Sequence, residues 1–226
     1  MDDEVRRMIL VGLTGLGVLA LVGGVGGIRL LWTAQERAGV KALAEQLGWS
    51  HVRDEDGTSW RMRGQAEGRD VVVDTTRPQK GSANAYRRRH HTRFQTEVRS
   101  DSALWVGPKT PEGLGAQAFG FGLIELVGKD AAKALQQGEP VSFDGPFGDQ
   151  FEVKVLGDPA VSHLLTDKVQ SALIAEADRH LEGVALTVHE GQLQLWLGTD
   201  LHRRPQAEAF IQTGLTVVEG AAASGL

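Results

Sequence analysis

Residues 8–27, MILVGLTGLGVLALVGGVGG, carry no charged side chain. At about 1.5 Å per residue, a helix of this length spans roughly 30 Å, the thickness of a hydrocarbon core. Arg6 and Arg7 mark one edge of the stretch, and Arg29 and Trp32 the other. Arg can snorkel to the headgroups and Trp favours that zone. The pattern predicts a transmembrane helix over 8–28, preceded by a short tail, 1–7. A cleaved secretory signal is the competing reading, with Arg6–Arg7 as n-region and Ile9–Val22 as h-region. Against it stand the absence of an A-x-A site and the acidic Asp2, Asp3 and Glu4.

Seven of these twenty residues are glycine. In lipid, small residues let helix backbones approach closely. Gly23 and Gly27 form a GxxxG pair, and Ala20 and Gly24 a second small-xxx-small pair. These four residues are the candidate packing face for another membrane helix. The alternative is a small-residue anchor with no partner. Lys and Arg number two before the span and three soon after it (Arg29, Arg37, Lys41), so the flanks barely bias orientation. A basic stretch further on favours a cytoplasmic soluble part, giving a single-pass membrane location.

Beyond the span, Val40, Leu43, Ala44 and Leu47 recur at helical spacing before Gly48. This predicts a juxtamembrane helix within 29–48. Residues 49–53 and 58–63 flank the turn signal Asp54-Glu55-Asp56-Gly57. Arg69–Thr76 contains a Val71–Val73 run suited to a strand. Thr92, Phe94, Thr96 and Val98 alternate with polar residues as a half-buried strand, and Ala103–Val106 reads as its antiparallel partner. Asp130–Gln137 has the pattern of a short helix. Phe151, Val153 and Val155 alternate as a strand.

Asp158-Pro159 forms a helix-start signal. A further helix follows Thr166-Asp167, with Val169, Leu173, Ala177 and Leu181 in one stripe. Val184, Leu186 and Val188 face Leu193, Leu195 and Leu197 across Glu190-Gly191, a hairpin signature. Pro205 opens a last helix that buries Ala207, Phe210, Ile211, Gly214, Leu215 and Val218. The tail, 220–226, is expected to be flexible.

The expected fold class is therefore α+β. One N-terminal transmembrane helix precedes a mixed, largely antiparallel sheet domain with packed helices over 49–219. An arrangement in two similar lobes, 49–107 and 141–219, is suggested by an internal echo. Leu47, Gly57 and Gly64 recur as Leu181, Gly191 and Gly198, each 134 positions later.

The stretch 143–174, FDGPFGDQFEVKVLGDPAVSHLLTDKVQSALI, resembles a pattern in uncharacterised bacterial single-span membrane proteins. The matching residues are Phe147 or Phe151 with Val153, then Asp158, Leu164-Leu165-Thr166 and Leu173. Trp60, Gly64, Gly68-Arg69, Val71 and Val73 are similar to the same group. The resemblance implies one membrane span and a C-terminal domain of unknown function. It implies no activity and no catalytic residue.

The 226-residue chain has no cysteine, which excludes disulfide scaffolds, thiolate nucleophiles and Cys-ligated metals. No nucleotide-binding loop is present. Gly122–Lys129 is one residue too long for a P-loop, and Asp130 stands where Ser or Thr is needed. The histidines form no HExxH pair, and no G-x-S-x-G elbow occurs. No cofactor or metal is therefore expected. Asp144, Asp149, Glu152 and Asp158 could serve as paired acid and base, but turn and cap chemistry accounts for Asp144 and Asp158.

Charge is asymmetric. Residues 1–99 carry 16 Lys/Arg against 12 Asp/Glu, and residues 100–226 carry 8 against 17. Between 77 and 99, Arg77, Lys80, Arg87, Arg88, Arg89, Arg93 and Arg99 face only Glu97. The first six form a candidate basic contact loop. Anionic lipid headgroups, each charge adding about 1 kcal/mol near a membrane, and an acidic protein partner are its expected ligands. A solvated loop with no ligand is the competing account. Nucleic acid is not expected, because Tyr86 alone offers a stacking surface and the chain is acidic overall. The expected function is a membrane-anchored, non-enzymatic binding or accessory subunit of a membrane-associated assembly. Its partners would be the bilayer and other membrane or membrane-associated subunits. Alternatives are an enzyme using carboxylates near 144–158, or a tethered sensor whose Gly113–Gly128 segment responds to ligand.

Overall fold

A computed structural model describes residues 38–55, 59–76, 91–109, 132, 135–180 and 183–226. The expected span 8–28, with Ala20, Gly23, Gly24 and Gly27, lies outside the described residues, as do Arg77, Lys80 and Arg87–Arg89. Among the described residues no helix is long and apolar enough to cross a membrane.

Among the described residues nine antiparallel strands form one sheet in the order β1-β2-β3-β4-β9-β8-β5-β7-β6. They are β1 (Ser50–Arg53), β2 (Trp60–Ala66), β3 (Arg69–Thr76), β4 (His91–Glu97), β5 (Ala103–Pro108), β6 (Glu139–Val141), β7 (Phe151–Leu156), β8 (Val184–His189) and β9 (Gln192–Leu197). Among the described residues the helices include α1 (38–47), α2 (Gly145–Gln150), α3 (Asp167–Arg179) and α4 (Arg204–Ala223), with a 3-10 helix at Pro159–Leu164, and residues 132, 135 and 136 are also helical. The molecule is α+β, with a large antiparallel sheet and several helices.

Period-2 patterning decides which sheet face is buried. Met62, Val73, Phe94, Leu195 and Leu186 share one face with Val40, Leu43, Leu173, Phe210 and Val217 from the helices. The opposite face carries a smaller apolar cluster, in which Trp105, Ala185 and Trp196 meet Ala132 and Leu135. Two hairpins turn through consecutive residues of positive φ, Glu67-Gly68 at 50° and 72° and Glu190-Gly191 at 50° and 71°. Such turns match the twist of the flanking strands.

Two expectations need correction. Ala103–Val106 does not pair with β4. β5 instead pairs with β7 and β8, while β4 pairs with β3 and β9. The β8–β9 hairpin, whose inward Leu and Val ladder suits a central position, inserts between them. Residues 98–102 cross beneath its turn, where the Val98 amide donates to the Gly191 carbonyl at 2.8 Å. Nor is 220–226 a loose tail. α4 continues to Ala223, Ala221 is buried, and Arg69 donates to the backbone oxygen of Leu226. Gly220 lets α4 lie close against the 3-10 helix, since a β-carbon there would lie 2.6 Å from the Leu164 carbonyl oxygen.

The echo at 134 residues has a structural counterpart. α1 leads into the β1–β2 hairpin as α3 leads into β8–β9. The pairs Ser50↔Arg63 to Arg53↔Trp60 shift onto Val184↔Leu197 to Thr187↔Gln194 without a slip in register. Strands from 49–107 and 141–219 nevertheless share one sheet, with β4 against β9 and β5 between β8 and β7.

Candidate interaction surface

One end of the sheet gathers the features that matter. The pairs Arg53↔Trp60, Trp60↔Thr75, Thr76↔His91 and Thr92↔Leu197 put the ends of β1, β3 and β9 beside the starts of β2 and β4. Leu201 is pinned there. Its carbonyl accepts the Trp60 indole N–H at 2.8 Å, and its amide donates to Thr92 Oγ1 at 3.2 Å. α4 begins three residues later, at Arg204. Gly39 of α1 packs against it, and a β-carbon at Gly39 would lie 3.1 Å from Arg204 Cβ. α1 therefore starts at this end, here called the lead-in end. β3 ends and β4 begins at the same end, at the Thr76↔His91 pair.

On the sheet face opposite the main core, Asp74 organises the charges. Arg93 donates to it from Nε at 3.1 Å and Nη2 at 3.0 Å, a forked geometry that only a guanidinium provides. Arg61 adds a longer contact at 3.4 Å. The Arg93 guanidinium also lies 5.3 Å from the Trp196 ring centroid, within cation–π range, and the His91 ring lies 5.5 Å away on β4. Gln95 donates to Gln192 at 2.7 Å further along.

Arg93 thus belongs to β4, not to a contact loop. Its charge is directed at Asp74 and Trp196. Arg61 and Arg63 are the guanidiniums left facing outward, with Val52 of β1 between them at 67% exposure. They border a cleft of about 500 Å³ that Thr76 and Ser59 close at the lead-in end. A second hollow, of about 690 Å³, lies at the opposite end beside Asp101, His189 and Glu190.

Two of the carboxylates near 144–158 serve local structure. Asp158 Oδ1 accepts the Ala160 amide at 2.8 Å and caps the 3-10 helix. Glu152 pairs with Lys154 at 3.2 Å. Asp144 precedes α2 without a capping bond, and Asp149 is exposed on that helix. Among the described residues no three His, Asp or Glu side chains gather as a metal site. Gly113–Gly128 lies outside them.

Two buried features escape a reading of the sequence. Glu176 is fully buried between α3 and α4. Its Oε2 lies 2.7 Å from Arg179 Nη1 and accepts from Thr213 Oγ1 at 3.3 Å, while its Oε1 lies 3.2 Å from His180 Nε2 outside hydrogen-bond geometry. His51 sits under α1 with its Nε2 buried and unpartnered. Desolvation lowers its pKa from the usual 6.5, and Arg53 and Lys41 push the same way against Glu45.

No family model, curated protein or solved structure matches the chain.

Proposed function

We propose that the chain is a single-pass, membrane-anchored, non-enzymatic binding or accessory subunit of a membrane-associated assembly. Its soluble domain lies on the cytoplasmic side. The observation that carries this reading is the short sequence distance between the uncharged residues 8–27 and α1. Only ten residues, 28–37, separate the stretch from the described chain, a reach of at most about 35 Å. The domain therefore hangs close beneath the bilayer with its lead-in end towards it.

In sequence the basic residues Arg77, Lys80, Arg87, Arg88 and Arg89 fall between the end of β3 and the start of β4, and such a run favours contact with anionic headgroups or an acidic neighbour. Ala20, Gly23, Gly24 and Gly27 would seat the span against another membrane helix. A non-enzymatic role is supported by the local duties of Glu152 and Asp158, which hold an ion pair and a cap.

Detergent extraction, sizing and crosslinking test the proposal. A complex larger than the monomer, with crosslinks to other membrane proteins, is expected. A strictly monomeric species with no co-purifying partner contradicts it.

A further inference from the structure

We infer that Val52, Arg61 and Arg63, near the lead-in end of the sheet face that also carries Trp196, form a docking surface for an anionic phospholipid bilayer. The inference rests on the anchoring proposed above and adds a folded contact to it. Three observations meet in these residues. Val52 is the most exposed large apolar side chain among the described residues, and it stands opposite Arg61 and two positions from the Ser50↔Arg63 pair. An apolar tip flanked by guanidiniums suits the boundary between acyl chains and phosphates.

Two of the acidic groups beside this surface, Asp74 and Asp54, are already engaged, while Glu55 of the β1–β2 turn is exposed. Asp74 holds Arg93 and Arg61, and Asp54 accepts the Ser59 amide at 3.0 Å. Among the described residues, Arg63 makes no side-chain bond and Arg61 has only its 3.4 Å contact. Both can turn to phosphate at small cost.

The third observation is distance. A tether of ten residues holds this end near the headgroups at a high effective concentration, so weak contacts suffice to close it onto the surface. The opposite end, with Glu67, Glu97, Asp101 and Glu190 near its turns, would be repelled by the same surface.

The test uses the full chain in nanodiscs of phosphatidylcholine alone, or with phosphatidylserine at about one lipid in three. Amide exchange over 50–55 and 59–63 is read by mass spectrometry. Slower exchange in the anionic discs, fading as salt is raised, is expected. Arg63→Gln should cut the docked-to-free ratio about fivefold, and Arg61→Gln/Arg63→Gln about twenty-five-fold. Arg63 has no contact with Asp74, so the single variant separates docking from folding. Arg99→Gln, at the opposite end, should leave exchange unchanged.

Equal exchange in both discs, with the protein embedded, overturns the inference and leaves the anchoring intact. Protection that persists in neutral discs alongside a co-eluting protein assigns the surface to that protein and also overturns it. Equal protection by soluble glycerophosphoserine overturns it in favour of a small ligand. Failure of the protein to enter either disc overturns the anchoring reading itself.

Discussion

Arg93 forks onto both carboxylate oxygens of Asp74 while its guanidinium lies over the ring of Trp196. Asp74 keeps 8% of its side chain exposed and Arg93 keeps 27%, so the pair is largely withdrawn from water. Three adjacent strands, β3, β4 and β9, are tied together by one charged contact and one ring contact.

Asp74→Ala leaves Arg93 without its acceptor in a partly dry site. A loss of about 2 kcal/mol in urea unfolding is expected. Arg61→Ala removes a half-exposed, longer contact and should cost about 0.5 kcal/mol or less. A double-mutant cycle over Asp74 and Arg93 should return a coupling clearly larger than one over Asp74 and Arg61.

Gly214 of α4 meets the ring of Phe94 on β4, and a β-carbon at Gly214 would lie 2.3 Å from Phe94 Cδ2. Elsewhere in a helix, Gly→Ala stabilises by about 1 kcal/mol. Here the sign should reverse, with Gly214→Ala costing about 1–3 kcal/mol through overpacking. Phe94→Leu combined with Gly214→Ala should lose less than the two single changes summed, as thermal unfolding would show.

Glu176 is a buried carboxylate tied to Arg179 and Thr213. Glu176→Ala removes these contacts and opens a void, and should cost about 3 kcal/mol. Glu176→Met fills the same space, and Arg179, 48% exposed, can turn to water. It should stay within about 1 kcal/mol of the parent. Equal losses for the two variants would show that the charge matters, not the volume.

Local signals made much of this fold legible. Strands β3 and β4, the Glu190-Gly191 hairpin with its register, the Asp158-Pro159 start and the Pro205 helix all follow from patterns a few residues long. Strand order does not. The partner of β5 is fixed by a hairpin that arrives some eighty residues later, and no spacing near Ala103 encodes it. The surface was half visible for the same reason. Arg61, Asp74 and Arg93 each lie on the outward parity of their own strand, but only the registers Arg61↔Asp74 and Asp74↔Arg93 bring them side by side. Arg93 therefore reads as one more basic residue until its carboxylate is known. The packed 220–226 segment was hidden too, because glycine and alanine look like a frayed end until Leu164 and Val169 are placed beside them.

His51 gives the stability a pH dependence. Its pKa is lowered in the folded chain, so the unfolded chain binds the proton more readily between the folded and the ordinary values. The contribution is complete above about 6.5 and is lost as pH falls through the lowered folded value. Unfolding between pH 7.5 and 5, values of about that range being those where His titrates, should show this decline, and His51→Gln should flatten it. An identical slope in the variant would assign the decline to other groups.

An alkaline carbonate wash of membranes holding the full chain tests the anchoring most directly. The protein is expected in the pellet, intact through residues 8–27 by mass spectrometry. Release into the supernatant, or a mature chain that begins after that stretch, would contradict it.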